Sequence, residues 1–326
     1  MKEKNNDSWR LIIIFILSVA LIFSAGCGKQ PAGTKTTELS GTITMSGAWA
    51  LYPMAVKWAE EFQKLHPAVK IDVSAGGAGK GVADALAGIV DIGNVSRDIT
   101  PPEIEKGAWW VSVVKDAVVP TVNINNPVIK TLTSNGLKKQ DFINIWVTGT
   151  AQDWNNLTQS GSNPCPIHVY TRSDSCGAAE IWAKYLGKNQ EDLLDIGVYG
   201  DPGLAEAVRQ DVLGIGFNNI NYAYDTTTKK QLQGICVLPI DLNGNGLIET
   251  NEQFYDTRDN LAAAIADGRY PSPPARNLHF VCQGKPRKKI VIEFLKWVLT
   301  DGQKYIPESG YINLPAEKLK EELDKL

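Results

Sequence analysis

Histidine is scarce, with three in 326 residues: His66, His168 and His279. Each stands alone in a stretch (HPAV, IHVY, LHFV) that reads as a helix end or a strand, and neither a His-x-x-x-His pair nor a nucleophile elbow occurs. That argues against zinc hydrolysis and histidine-based catalysis. An excess of one charge is also missing. Lys and Arg number 33 against 36 Asp and Glu, so no basic field points to nucleic acid. Apolar runs long enough for a comfortable membrane span are absent; the longest, Leu11 to Phe23, falls short. No repeat of fixed period is present. What remains is globular composition, 43% apolar and 21% charged, at a length that favours two cores.

Cysteine is sparse and odd in number, at five. The first explains the parity. Lys2, Lys4 and Arg10 precede the Leu11–Phe23 run, and Ser24-Ala25-Gly26-Cys27 closes it with small residues. This ending resembles a lipoprotein signal, which implies cleavage after residue 26, lipidation of Cys27 and an extracytoplasmic chain anchored to the cell membrane. An uncleaved anchor helix is the other reading, and both tether the chain outside the cytoplasm. Residues 27–38 form a polar, Thr-rich tether. Cys165, Cys176, Cys236 and Cys282 then remain, and four cysteines allow three pairings. Cys236 in GICVLPI and Cys282 in NLHFVCQG lie in β-like runs that suit one sheet, which favours Cys236–Cys282 as the disulfide.

From Leu39 onward, short β-branched runs alternate with amphipathic helical stretches, the pattern of an α/β protein with largely parallel sheets. Leu51, Met54, Ala55, Trp58, Ala59, Phe62 and Leu65 form a helical stripe that His66-Pro67 ends. Lys115 to Pro127 reads as a long extended stretch able to cross between domains. Asp201-Pro202 reads as an N-cap followed by proline at the first helical position. Three times a strand runs into a small-residue loop that opens a helix: Ser46-Gly47-Ala48, Gly76 to Gly81, and Ser173 to Ala178. Helix N-termini present unpaired N–H groups and the positive end of the dipole, so several meeting in one cleft make an anion site. The Gly76–Gly81 loop is no P-loop, because Lys80-Gly81 lacks the following Ser or Thr.

In this order the blocks TMSGAWALYPMAVKWAEEF, GGAGKGVADALAGIVDIGNVSRDI, VYTRSDSCGAAEIWAKYL, GDPGLAEAVRQDVLGIGF and the ending from YPSPPARNLHFV to SGYINL resemble the phosphate-binding solute receptors of ABC importers. The resemblance implies the two-domain periplasmic-binding-protein fold of type II, with the ligand cleft at the hinge. It implies a discontinuous first domain, 39–118 plus 235–326, and a second domain, 119–234. It also implies a monomer that captures phosphate or a related tetrahedral oxyanion and delivers it to an ABC permease, with no catalytic residue and no cofactor for activity. Carried over residue by residue, the anion site falls on Ser46, Gly47, Ala48, Trp49, Ala50 and Leu51; on Gly77, Ala78, Gly79 and Lys80; on Ser96, Arg97 and Asp98; and on Arg172, Asp174, Cys176, Gly177 and Ala178. Arg172 leads, because its planar fork binds an oxyanion bidentately. An ion pair with Asp174 is its alternative, and one with Asp98 is the alternative for Arg97. Asp98 or Asp174 is the candidate acceptor of a proton from a partly protonated oxyanion. Where the family places Ser and Thr hydroxyls this chain has Ala48, Trp49, Ala50, Ala78, Cys176 and Ala178, which leaves more of the binding to backbone donors and Arg172. Trp49 either walls the cleft or enters a core.

A separate motif points to calcium. Asp241 to Glu252 (DLNGNGLIETNE) fits the twelve-position EF-hand loop, with Asp241, Asn243, Asn245, Leu247 and Glu252 at ligand positions and Gly246 at the turn. The expectation is a structural calcium on an insertion, against an Asn-Gly-rich turn without metal. Two other function classes stay open: a surface-anchored interaction or adhesion protein on the same scaffold, and an extracellular phosphate-ester hydrolase.

Overall fold

The computed structural model describes residues 38–326; the signal segment, Cys27 and nearly all of the 27–38 tether lie outside the described residues. Leu39–Leu326 forms one compact unit. In chain order it contains β1 (Gly41–Gly47), α1 (Tyr52–Leu65), β2 (Val69–Ala75), α2 (Ala78–Leu86), β3 (Ile92–Val95), α3 (Pro101–Glu105) and β4 (Ala108–Asn123). Next come α4 (Ile129–Asn135), β5 (Leu137–Lys138), α5 (Lys139–Trp146), α6 (Trp154–Thr158), β6 (His168–Arg172), α7 (Gly177–Tyr185), β7 (Ile196–Val198), α8 (Gly200–Gln210) and β8 (Gly214–Asn219). The chain ends with β9 (Ile235–Val237), β10 (Ile240–Asp241), α9 (Arg258–Ala266), β11 (Ala275–Gln283), α10 (Lys289–Leu299) and α11 (Ala316–Asp324). No helix among the described residues is long and apolar enough to cross a membrane.

The main sheet runs β2-β1-β3-β11-β4-β8-β6-β7, with β9 also on β4. It is mixed. β1 pairs in parallel with β2 and β3, and β6 with β7 and β8, while β4 and β11 run antiparallel to their neighbours. β4 is sixteen residues long and nearly all buried, so it threads two cores in succession. The first core packs the α1 stripe (Met54, Ala55, Trp58, Ala59, Phe62) and α10 on β1, β3 and the early half of β4. The second packs Trp146, Trp182 and Phe217, ring on ring, with the late half of β4. The long extended stretch therefore crosses between cores, as its sequence suggests.

Two expectations change. Cys236, Leu238, Phe254, Leu261 and Tyr270 all belong to the second core, so the segment from 235 to about 275, expected with the first domain, packs with the second. β9 is the reason, because it joins β4 beyond the crossing, at Thr121 to Asn123. The chain returns along β11, whose Leu278, Phe280 and Val281 lie in the first core. The expected disulfide is absent for a related reason. Cys236 and Cys282 do share a sheet, but Cys236 sits opposite Val122 and Cys282 opposite Trp109 on the same strand. Thirteen residues of extended chain separate those positions, about 40 Å at 3.3 Å per residue, where a bridge needs Cα atoms within about 7 Å. Cys165, Cys176, Cys236 and Cys282 are all free and buried.

Candidate anion site at four helix N-termini

β1, β2, β6 and β7 each end in a short turn that starts a helix, so α1, α2, α7 and α8 all begin at carboxyl ends of parallel strands, the edge where open α/β sheets bind ligands. Close backbone approach makes this possible. Gly47 has φ +132°, and a Cβ there would lie 2.3 Å from the Asn94 carbonyl oxygen and 2.7 Å from Gly81 Cα, so glycine lets α2 settle against β1 and β3. The helix starts of the two cores also touch. Gly79 N–H donates to the Ser175 carbonyl at 3.3 Å. A Cβ on Gly177 would lie 2.2 Å from the Ser96 carbonyl oxygen. The Trp49 indole packs on Gly200, the first residue of α8, and edge-on to Tyr199 at 6.3 Å. Trp49 thus lies between the starts of α1 and α8, and its Nε1 is buried without a hydrogen-bond partner among the described residues. Tyr222 and Tyr311 hydroxyls hold the Trp49 and Ala50 carbonyls at 3.2 and 2.6 Å, which fixes the start of α1.

Arg172 anchors the charge. Its side chain is wholly buried; Nε and Nη2 donate to Asp174 at 2.8 and 2.7 Å, and Nη1 to Asp201 Oδ2 at 2.6 Å. The Arg172–Asp174 pair was the alternative the sequence held open, and it is present. Burial works against the cation, yet Asp201 and Asp174 raise its pKa further above the ordinary arginine value. Arginine carries five N–H donors, so the fork keeps one on each terminal nitrogen. Asp201 accepts from Asn219 Nδ2, Asn219 accepts from Arg276 Nη2, and Arg276 Nη1 donates to the Gly177 carbonyl at 2.8 Å. Arg276 faces the fully buried Asp116 at 3.6 Å. Burial, opposed by Arg276, pushes the Asp116 carboxyl up to about 7. Gln190 staples the loop before α7, accepting from Cys176 N–H and donating to the Asp174 carbonyl.

The predicted residues divide accordingly. Ala48, Trp49, Gly77, Gly79, Arg172, Asp174, Cys176, Gly177 and Ala178 meet at these helix starts. Cys176 caps α7, its Sγ accepting the Ala179 N–H at 3.4 Å, and burial pushes the thiol up to about 12. Ser46 instead donates its hydroxyl to Asp84 at 2.6 Å, and Lys80 pairs with the same carboxylate. Arg97 is taken by Glu103, bidentately at 2.9 and 2.7 Å, and by Glu180 at 3.0 Å; Asp98 pairs with Lys184 at 2.7 Å. Asp201 is no N-cap. The helix starts two residues earlier than expected, at Gly200 with Tyr199 as its cap, and the Asp201 carboxylate turns to Arg172. Sequence reasoning also missed Asn219, Arg276 and Asp116, which lie on three strands far apart in the chain.

At the calcium-like loop, Asp241 accepts the Gly244 and Gly246 N–H groups at 2.7 and 2.8 Å, and Asn243 and Asn245 accept from Asn245 and Leu247. Glu252 reaches back to the Leu242 N–H at 2.9 Å. No group of three or more His, Cys, Asp or Glu able to hold a metal occurs among the described residues.

Comparison with known proteins agrees with this architecture. A sequence-family profile described as a PBP superfamily domain matches residues 32–302. The phosphate-binding protein PstS of Methanocaldococcus jannaschii is 28% identical, over 95% of this chain and 92% of its own length. A substrate-binding protein from Clostridium perfringens, crystallised with bound phosphate, superposes with a TM-score of 0.69 at 21% identity, covering 84% of this chain and all of that one. An ABC-type phosphate transport receptor from Vibrio cholerae superposes at 0.60 with 20% identity, over 84% of this chain and all of that one.

Proposed function

Because this chain belongs to the PBP superfamily, we propose that it is an extracytoplasmic receptor that captures phosphate, or a related tetrahedral oxyanion, and hands it to an ABC permease. It works as a monomer held to the membrane through Cys27, a reading that a phosphate-binding protein and a phosphate transport receptor among its relatives support. One observation carries the reading: four helix N-termini from two cores meet around a buried arginine whose fork retains donors. Backbone N–H groups and the two unused N–H groups of the Arg172 fork supply the hydrogen-bond donors, which a dry site strengthens. Asp174 and Asp201, on either side of the fork, are the acceptors that a protonated oxyanion would meet and a fully deprotonated one would be repelled by. Asp98, engaged by Lys184, leaves that role. Calorimetry against phosphate, arsenate, sulfate, molybdate and tungstate tests the reading. Heat with one tetrahedral oxyanion supports it, and no heat with any of them removes it.

The hydrogen-bonded 241–252 loop supports a second element, a structural calcium held by Asp241, Asn243, Asn245, the Leu247 carbonyl and Glu252. What supports it is that Asp241 accepts N–H groups inside the turn and Glu252 bonds back to the Leu242 N–H at the loop's start.

A further inference from the structure

The Ser96–Asp98 loop, expected to bind the ligand, grips the opposite core instead. Glu180 and Lys184 lie four residues apart on α7, hence on one face. Arg97 Nε meets Glu180 at 3.0 Å, and Asp98 meets Lys184 at 2.7 Å. The loop leaves β3 in the first core, whereas α7 packs in the second. Arg97 is preset for this contact. Its two terminal nitrogens are held by Glu103 within its own core, Nη1 also donates to the Asp98 carbonyl at 2.9 Å, and only Nε is turned to α7. Glu103 is fixed in turn by the capping box of α3, accepting the Thr100 N–H at 2.8 Å. The helix so gripped starts at Cys176–Ala178, so Glu180 and Lys184 ride on the same element as the candidate anion donors at its start.

We propose that Arg97–Glu180 and Asp98–Lys184 form a charge latch that holds the cleft closed over its ligand, making Glu180 and Lys184 positioning residues for binding that never touch the anion. The proposal rests on the reading that the cleft closes on an oxyanion. It differs from that reading in what it asks of these four side chains. The latch acts after encounter, so it sets the release rate and leaves association almost unchanged. The Asp98–Lys184 pair is exposed and salt-screened, while Arg97–Glu180 is partly buried and carries most of the hold.

Stopped-flow release of inorganic phosphate from the full-length protein tests this. In Glu180→Gln, release accelerates about three- to tenfold, association stays within about twofold, and the melting temperature without phosphate is unchanged. Asp98→Lys and Lys184→Asp each speed release, and the double exchange restores it, a rescue that a merely structural role would not produce. Wild-type release in all the single variants, or a double exchange as fast as the singles, overturns the latch. If the wild-type protein binds no phosphate, the reading above fails, and hydrogen exchange decides the latch alone. Glu180→Gln must then lose protection at the 96–98 and 174–180 amides; unchanged protection overturns it.

Discussion

Gly177→Ala separates closure of the cleft from stability of the fold. The residue opens α7 and faces the first core. A methyl group there would sit 2.2 Å from the Ser96 carbonyl oxygen, 2.3 Å from its hydroxyl and 2.5 Å from its carbonyl carbon. Two of these atoms are backbone at the end of a fully buried strand, so rotamer changes cannot clear them. Gly177 itself is not among the residues at positive φ, so alanine suits its own backbone. Within the second core the change places a better helix former at the first position of α7, which favours the fold slightly. Across the cleft it overpacks, at about 1–3 kcal/mol or more. The two effects act on different states. The variant should therefore melt at or slightly above the wild-type temperature without ligand and bind phosphate about tenfold to a hundredfold more weakly, 1.4 kcal/mol being a factor of ten. Differential scanning calorimetry and titration calorimetry on one preparation measure both. Wild-type affinity in Gly177→Ala would show that Ser96 and Gly177 do not approach in the bound form, and the geometry argued for the site would fall.

Arg172→Lys should bind phosphate at least tenfold more weakly by calorimetry, because a single ammonium cannot serve Asp174, Asp201 and an anion at once. Retained affinity would move the centre of the site elsewhere. Burial holds His279 down to about 4, so between 6.5 and 4 the unfolded chain takes up a proton that the folded one refuses. Stability is present above that window and is lost as pH falls through it, by roughly 3 kcal/mol at most; denaturant titrations of wild type and His279→Gln should differ in this slope. Alkylation of the denatured, unreduced protein followed by mass spectrometry should find Cys165, Cys176, Cys236 and Cys282 all modified, and an unreacted Cys236–Cys282 pair would refute the register given for β9 and β11. A chelator should lower the melting temperature of the wild-type protein and leave Glu252→Gln unchanged; no effect on the wild type would mark the 241–252 loop as a metal-free turn.

Local patterns were readable from the chain, and distant partners were not. The α1 stripe, its end at His66-Pro67, the glycine turns and the Arg172–Asp174 spacing each depend on residues within about one turn of one another, where helix and strand geometry leaves few choices. Arg97 shows where this stops. Its sequence neighbours make it a cation on the loop after β3, but the direction of its fork depends on Glu103 in the next helix and on Glu180 in the other core. Asp201 shows the same limit from the other side. Asp-Pro at a helix start is a sound capping signal, yet a two-residue shift of the cap, from Asp201 to Tyr199, hands the carboxylate to Arg172, 29 positions earlier. The cysteines make the point most simply. Two β-like runs in one sheet are correctly placed with each other, and they still end some thirteen residues apart along a shared strand. Sequence pattern therefore gives the type of each donor and the element that carries it. The pairing of charges across two cores is set by register, and those pairings decide which candidate side chains are engaged between the cores, as Arg97 is by Glu180, and which keep unused donors, as Arg172 does.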